Sequence, residues 1–363
     1  MKVLIVFNHP APYKVRIFNE LSKYADLTVI FERNKESDRP DEFYVENKYD
    51  FESITLEDGY IGTDGSYSNK VKEYIKEHHQ EFDLIVMNGY KHIAEMKAIK
   101  YMARHNIPFT LLINGGVIRK NELFLKKMFK SQFISKAQYY MSPSAMSDDY
   151  LVYYGADKNK IFRYPYSNIG DDEILKDKPN KEEIRKEFSL PLDKKIFINA
   201  SQFIDRKNNI FLLSQFIGKN DVILLVGEGE ERQKYLDYIE KNSMDNAIIM
   251  PFIEKQKLFH LFQGCDAFIT LAKEDIFGHT VLEAMANGLP VICSTKVNSG
   301  LEYIENGVNG YLVNLDNSKE IQTAISKITN INCHAPIETV KKATYEASGK
   351  KLYEIMKEII NHE

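Results

Sequence analysis

Short continuous apolar runs alternate with longer segments of helical periodicity along the whole chain. Val3–Phe7, Leu27–Phe31, Asp83–Met87 and Phe109–Ile113 are aliphatic runs of strand length, without the polar–apolar alternation of a half-exposed sheet, and predict buried strands. Between them, Val15–Tyr24, Asn69–His79 and Ile93–His105 carry apolar residues at helical spacing. The rhythm returns in Ile196–Ala200, Val222–Val226, Ala247–Met250, Ala267–Leu271 and Pro290–Cys293, with helices in the gaps. Alternating strand and helix predicts parallel sheets covered on both faces. The pattern breaks between Pro165 and Leu192, where the turn-rich Tyr164–Gly170 precedes a charged, Pro-punctuated stretch with one helical pattern at Lys181–Phe188. The α/β reading is therefore two Rossmann-like doubly wound domains facing across a cleft, 1–165 and 193–345. A connection spans 166–192 and a last helical segment spans 346–363. In such sheets ligands bind beyond the carboxyl ends of the strands, so the loops after strands are where chemistry is sought.

Composition narrows the class. At 363 residues, 44% hydrophobic and 28% charged, the chain is too apolar to be disordered and long enough for two cores. No apolar run approaches the roughly 18 residues that cross a bilayer, and the first run ends at Phe7, so no export leader is expected. Three cysteines, Cys265, Cys293 and Cys333, exclude a disulfide scaffold and are not spaced as zinc ligands; they fit a reducing cytoplasm. Residues 1–165 hold 24 Lys/Arg against 22 Asp/Glu, a balance of +2, and residues 166–363 hold 24 against 30, a balance of −6. Neither half is basic enough to make nucleic acid the partner. Within the first half, however, Arg119–Lys136 contains six Lys/Arg and one Glu among Phe124, Leu125, Met128, Phe129, Phe133 and Ile134. This basic amphipathic helix admits two readings: attachment to an anionic membrane surface at the inner face of the plasma membrane, or packing on the sheet with a solvated basic face.

The most informative segment is Leu271–Ser294. A strand ends at Leu271, a loop carries Glu274 and Asp275, Gly278 opens a helix, Gly288 stops it and Pro290 leads into the next strand. Amides at a helix N-terminus can receive a phosphate or sugar hydroxyls, and Gly278 lets backbone approach closely. Asp275 in the loop and Glu283 in the helix are acceptors suited to a polyhydroxyl ligand. The segment resembles the signature of family-4 retaining glycosyltransferases with the GT-B fold, of the bacterial polysaccharide-biosynthesis type. Phe277, Gly278, Leu282 to Ala286, Gly288 and Pro290 to Ile292 match position by position; the first acidic position is Asp275 rather than the usual Glu. The resemblance implies that Asp275 holds donor-sugar hydroxyls and Glu283 the nucleotide ribose, with Glu274, Phe277, Gly278, His279 and Thr280 around the donor.

The family's G-R-x-x-x-x-K-G turn reads here Ala200-Ser-Gln-Phe-Ile-Asp-Arg-Lys-Asn208. Lys207 falls on the family lysine, Gln202 stands where the arginine is expected, and Arg206 is the adjacent candidate to replace it. Fixed cations here would compensate a leaving diphosphate without a metal; D-x-D, the metal-binding spacing of the other major glycosyltransferase fold, is absent from the sequence. Val226–Arg232 follows a strand with Gly-Glu-Gly but lacks the third glycine of a dinucleotide fingerprint. By resemblance Gly227, Glu228 and Gly229 line the nucleotide pocket, and Phe252 lies where the backbone meets the base. On the acceptor side the candidates are His9, Tyr13, Lys14 and Arg16 after the first strand, Asn88 after the next, and Asn114 and Gly115 where many relatives carry a His.

The resemblance implies a retaining, metal-independent hexosyl- or N-acetylhexosaminyl-type transfer from a nucleoside diphosphate sugar to a glycan or lipid-linked acceptor, with no cofactor. The last helix is then expected to cross back onto the N-terminal domain. A sugar-nucleotide epimerase of the same architecture and a non-catalytic scaffold subunit of a glycan-assembly complex are the alternative readings. The first would need an acid/base pair at the sugar; Asp275, Glu283 and Lys207 argue against the second.

Overall fold

The computed structural model describes residues 1–36, 48–61, 69–119, 121–177 and 179–362. Lys120 of the basic segment and Lys178 of the connecting segment therefore lie outside the described residues. The chain divides into two compact units, Met1–Ser167 with Tyr345–Glu363, and Asn168–Thr344.

The first unit is built on a seven-stranded sheet: β1 (Lys2–Phe7), β2 (Asp26–Glu36), β3 (Glu52–Ile61), β4 (Leu84–Met87), β5 (Thr110–Leu112), β6 (Tyr139–Ser142) and β7 (Ile161–Arg163). Its order is β3-β2-β1-β4-β5-β6-β7 and every pairing is parallel. Both faces are covered, which is why β1 reads as an unbroken apolar run. Leu4, Val6, Ile30 and Met87 pack with Ile75, Ile99, Met102 and Phe133 on one face. On the other, Phe7 meets Phe18 edge-on at 5.9 Å. The helix Tyr345–Asn361 packs against Pro12–Ser22. A Cβ at Gly349 would come within 2.8 Å of the Leu21 nitrogen, so only glycine permits that approach.

The second unit has six strands: β8 (Ile196–Ala200), β9 (Val222–Val226), β10 (Ala247–Met250), β11 (Ala267–Thr270), β12 (Val291–Ser294) and β13 (Gly310–Val313). They are all parallel, in the order β10-β9-β8-β11-β12-β13. Phe197, Ile223, Leu225, Ile269 and Ile292 form its core with Leu212, Phe216 and Tyr235. The strand order reverses direction at β1/β4 in the first sheet and at β8/β11 in the second. Those are the topological switch points where α/β sheets open a crevice.

The segment 168–192 packs within the second unit. Its helix Lys181–Glu187 is capped by Asn180, and Arg185 is buried against Asp266 at 2.6 Å while donating to the Gly264 carbonyl. The basic segment is a helix only over Phe124–Ile134, shorter than the periodicity of Arg119–Lys136 predicts. Leu123 is extended, and the carboxylate of Glu122 is drawn to Lys130 and to the Tyr154 hydroxyl, which holds the approach segment off the helix axis. Among the described residues no helix is long and apolar enough to cross a membrane.

Candidate active site

The loops after β8 and β11 meet at the switch point of the second sheet. After β8 the chain makes a one-turn helix, Asp205–Lys207, closed by Asn208 in the left-handed conformation at φ +60. Asn208 suits that conformation because its short amide bonds locally; its Nδ2 donates to the Leu271 carbonyl, tying this loop to the end of β11 at 2.9 Å. The Arg206 carbonyl accepts from the Lys273 amide at 2.8 Å, and the Arg206 guanidinium donates to the Glu274 carbonyl. So clamped, the two loops bring Lys207 Nζ to 2.5 Å from Asp275 Oδ2, with only 11% and 15% of the two side chains exposed. Arg206 Nη1 lies 3.8 Å from the other oxygen, Asp275 Oδ1. Two cations thus converge on one carboxylate, while Gln202, at the position expected to carry an arginine, is exposed.

The other side of the acidic loop is pinned by the turn after β12. The Asp275 amide donates to the Lys296 carbonyl and the Ser299 amide to the Phe277 carbonyl; the Ser299 hydroxyl donates to the Gly278 carbonyl at 2.8 Å. Gly278 then starts the helix His279–Ala286 at φ +89, and no side chain caps that helix. A Cβ on Gly278 would sit 2.6 Å from Val297 Cγ1, so the position requires glycine for its φ and for its space. The amide end of the helix, occupied by His279 and Thr280, thereby follows Asp275 closely in sequence, with Gly278 packed near the Asp275 carboxylate that pairs with Lys207.

Glu283, one turn along that helix, is held by different partners. Its carboxylate accepts from Asn168 Nδ2. Lys255 lies near, donating to the Asn168 carbonyl and pairing with Glu173, each at 2.7 Å. Burial pushes the Glu283 carboxyl above its ordinary range; Lys255 and Asn168 oppose that, and Glu173 adds to it. Asn168, Glu173 and Lys255 have no motif of their own in the sequence. Asn168 lies in a stretch legible only as turn chemistry, and Lys255 is one more lysine at a helix start.

The glycines of Gly227-Glu-Gly229 have a structural task. Gly227 and Gly229 adopt φ +150 and +155, and a Cβ would lie 2.0 Å from the Ser201 oxygen and 2.4 Å from the Phe203 oxygen respectively. Between them, the Glu228 carbonyl accepts from the Phe203 amide at 2.7 Å. These glycines let the turn after β9 lie directly on the turn after β8 and so fix the start of the loop that ends in Lys207. Phe252, after β10, is 71% exposed.

In the first unit the candidates gather at the carboxyl ends of the strands. His9 is buried and its ring lies 6.1 Å from Phe7. Tyr13 meets Tyr166 edge-on at 6.2 Å. The Tyr164 hydroxyl donates to the Ile113 carbonyl and lies 3.5 Å from Asn114 Oδ1, which brings the loop after β5 to the same place. Gly115, next to Asn114, is at φ +141. Asn88 follows β4, its amide bonded to Val6 and its Oδ1 buried without a hydrogen bond among the described residues.

Residues 180–348 match the family model described as Glycosyl transferases group 1. The second unit carries a glycosyl transferases group 1 domain. Two curated bacterial relatives match part of the chain. The GtfA subunit of the UDP-N-acetylglucosamine–peptide N-acetylglucosaminyltransferase of Streptococcus agalactiae is 30% identical over 151 residues, 39% of this chain and 28% of that one. The N-acetyl-alpha-D-glucosaminyl L-malate synthase of Bacillus anthracis is 28% identical over 195 residues, 52% of this chain and 50% of that one. The matched regions thus span half or less of these relatives' lengths. Among solved structures, Anabaena HepE in complex with UDP superposes with a TM-score of 0.78 at 16% identity, over 99% of this chain and 100% of that one. Both parallel-sheet units, with a glycosyl transferases group 1 domain in the second, have the GT-B glycosyltransferase fold.

Proposed function

We propose that the chain moves a sugar from a nucleoside diphosphate sugar to an acceptor hydroxyl with retention at the anomeric carbon, in the synthesis of a bacterial cell-surface glycan. The observation that carries this reading is the Lys207–Asp275 pair, set at the β8/β11 switch point beside the open amide end of His279–Ala286. Departure of a sugar from a diphosphate develops negative charge on the bridging phosphate oxygen. A preorganised ammonium and fixed amides stabilise that charge where it forms. Lys207 and the first-turn amides are the groups for it, with Arg206 supplementing the cation that Gln202 does not provide. Asp275 orients Lys207 before donor binds and takes hydrogen bonds from the sugar; Glu283 takes them from the ribose. The leaving phosphate itself accepts the acceptor's proton, so the bond to the acceptor oxygen forms on the face the diphosphate vacates.

The donor is proposed to be a uridine diphosphate sugar. Support comes from the solved neighbour bound to UDP and from the relative named for UDP-N-acetylglucosamine. The acceptor is proposed to be a glycan or lipid-linked hydroxyl presented at an anionic membrane surface. The helix Phe124–Ile134 supports this: Leu123, Phe124 and Leu125 are 67%, 73% and 76% exposed, and only Phe133 and Ile134 are buried. An apolar edge left in water beside Lys126 and Lys127 is the arrangement that seats at a lipid interface. The test is incubation of the purified chain with uridine, guanosine and adenosine diphosphate sugars and a membrane extract, followed by mass spectrometry. Transfer from a uridine donor with the anomeric configuration kept is expected. An isomerised donor without transfer, or an unchanged donor, would overturn the reading.

A further inference from the structure

Lys14 is the most deeply buried cation among the described residues of the first unit, 1% exposed, in the first turn of the helix Pro12–Ser22. Among the described residues no hydrogen bond or carboxylate reaches its ammonium. Its surroundings are aromatic: Nζ lies 4.4 Å from the Tyr166 ring centroid, 5.7 Å from Tyr164 and 6.0 Å from Phe7. Ring faces attract a cation but do not neutralise it. Burial pushes this ammonium down to about 7, and among the described residues no acidic group opposes the shift. For stability a methionine would fill the same space without a desolvated charge, so the ammonium needs another account.

Its position supplies one. Phe7 is the last residue of β1, Tyr164 follows β7 and bonds the Ile113 carbonyl after β5, and Tyr164 also reaches Asn114. The ammonium therefore sits over the carboxyl ends of the first sheet, where His9, Tyr13 and Asn114 also gather. Half-buried Tyr13 lies edge-on to Tyr166, the ring nearest the ammonium. Gly115 at φ +141 gives the neighbouring loop a backbone that a bulky ligand group can approach closely.

We propose that Lys14, framed by Phe7, Tyr164 and Tyr166, is the cation of an anion subsite that takes a phosphate or carboxylate group of the acceptor. The proposal rests on the reading of the first unit as the acceptor side. An entering anion supplies the counter-charge that the described residues do not, and the aromatic walls exclude water from the pair, strengthening it.

Binding is read by thermal shift on the full chain with inorganic phosphate and, separately, malonate as probes, each with and without saturating UDP. Wild type is expected to respond to at least one probe whether or not UDP is present. Lys14→Met is expected to raise the half-saturating concentration at least about tenfold, the loss of a charge-assisted hydrogen bond, and Lys14→Arg to retain the response. Lys14→Met keeps the volume, and its own melting temperature shows that it folds. An equal anion response in wild type and Lys14→Met overturns the proposal. So does a response abolished by UDP together with weaker UDP binding in Lys14→Met, which would make Lys14 a contact of the donor diphosphate. If UDP does not shift the wild type, the uridine-donor reading fails, and the anion arm still decides the role of Lys14.

Discussion

At Asp275 a carboxylate faces one ammonium at 2.5 Å and a guanidinium at 3.8 Å, so removing either cation has a different cost. Lys207→Met strips the closer charge from where the diphosphate is proposed to leave. Turnover with the donor should fall on the order of 10²- to 10³-fold, while far-UV circular dichroism stays unchanged because Arg206 still faces Asp275. Near-normal turnover in a folded Lys207→Met would remove the lysine from the chemistry. A second residue, Glu32, makes a stability prediction with a defined sign. Both its carboxyl oxygens are buried without hydrogen bonds among the described residues, and burial first, Glu95 second, push it up to about 9. Between an unfolded value of about 4.3 and that folded value, the folded chain keeps a proton that the unfolded chain releases. Its contribution to stability therefore falls as pH rises. Glu32→Gln should raise the melting temperature by a few degrees at pH 8, with a gain that shrinks to nothing near pH 4. A gain independent of pH would show that Glu32 does not titrate in this way.

At the scale of elements, the continuous apolar runs marked β1, β2, β4, β5 and β8 to β12, because a strand buried on both faces has no room for polar alternation. The strands β3, β6, β7 and β13 escaped that pattern; β6, Tyr139–Ser142, is interior but only four residues long and carries two tyrosines and a serine. β3, β7 and β13 form sheet edges, and β7 and the middle of β13 are not fully buried, so β-branched runs are not required of them. The Leu271–Ser294 signature was legible because its chemistry is local in sequence: Asp275, Gly278 and Glu283 lie within one loop and one helix. Asn168, Lys255 and Glu173 were not, since they reach Glu283 only through the fold of 168–192 and carry no spacing that a linear pattern can show. The Gly-Glu-Gly turn was legible as glycine but not as packing. Gly227→Ala would push a Cβ into the Ser201 oxygen, and should cost about 2–4 kcal/mol of unfolding free energy in a urea titration. A loss under about 0.5 kcal/mol would mean that the two turns can separate freely. The helix Phe124–Ile134 is the opposite case, since its first turns bury little. Phe124→Asp with Leu125→Asp should leave the melting temperature within about 2 °C of wild type, yet abolish salt-sensitive co-sedimentation with anionic liposomes. Retained sedimentation would exclude this helix as the membrane contact.

For the whole molecule, the two units hold separate cores, and the end of the chain belongs to the first of them. Tyr345–Asn361 follows the second unit in sequence but packs on Pro12–Ser22, with Tyr353 stacked on Tyr24 at 5.4 Å and Arg16 over Tyr345 at 5.2 Å. The first unit is therefore closed by a helix from beyond the second unit in sequence, and its packing depends on residues more than 300 positions from its first strand. Gly349 is the contact point. A valine there would drive side-chain atoms into the backbone of Glu20 and Leu21, forcing the helices apart and exposing Leu352, Ile355 and Ile359 to water. UDP, by contrast, is proposed to bind only residues of the second unit. It should stabilise that unit by about 2.7 kcal/mol at a hundredfold excess over Kd, with no direct gain for the first. Scanning calorimetry of wild type and Gly349→Val, each with and without UDP, separates these effects. Gly349→Val should lower one transition, and UDP should raise the other, with the two shifts adding independently. A single transition moved by both changes would mean that the units unfold together and that the helix Tyr345–Asn361 stabilises the second unit as strongly as it does the sheet it covers.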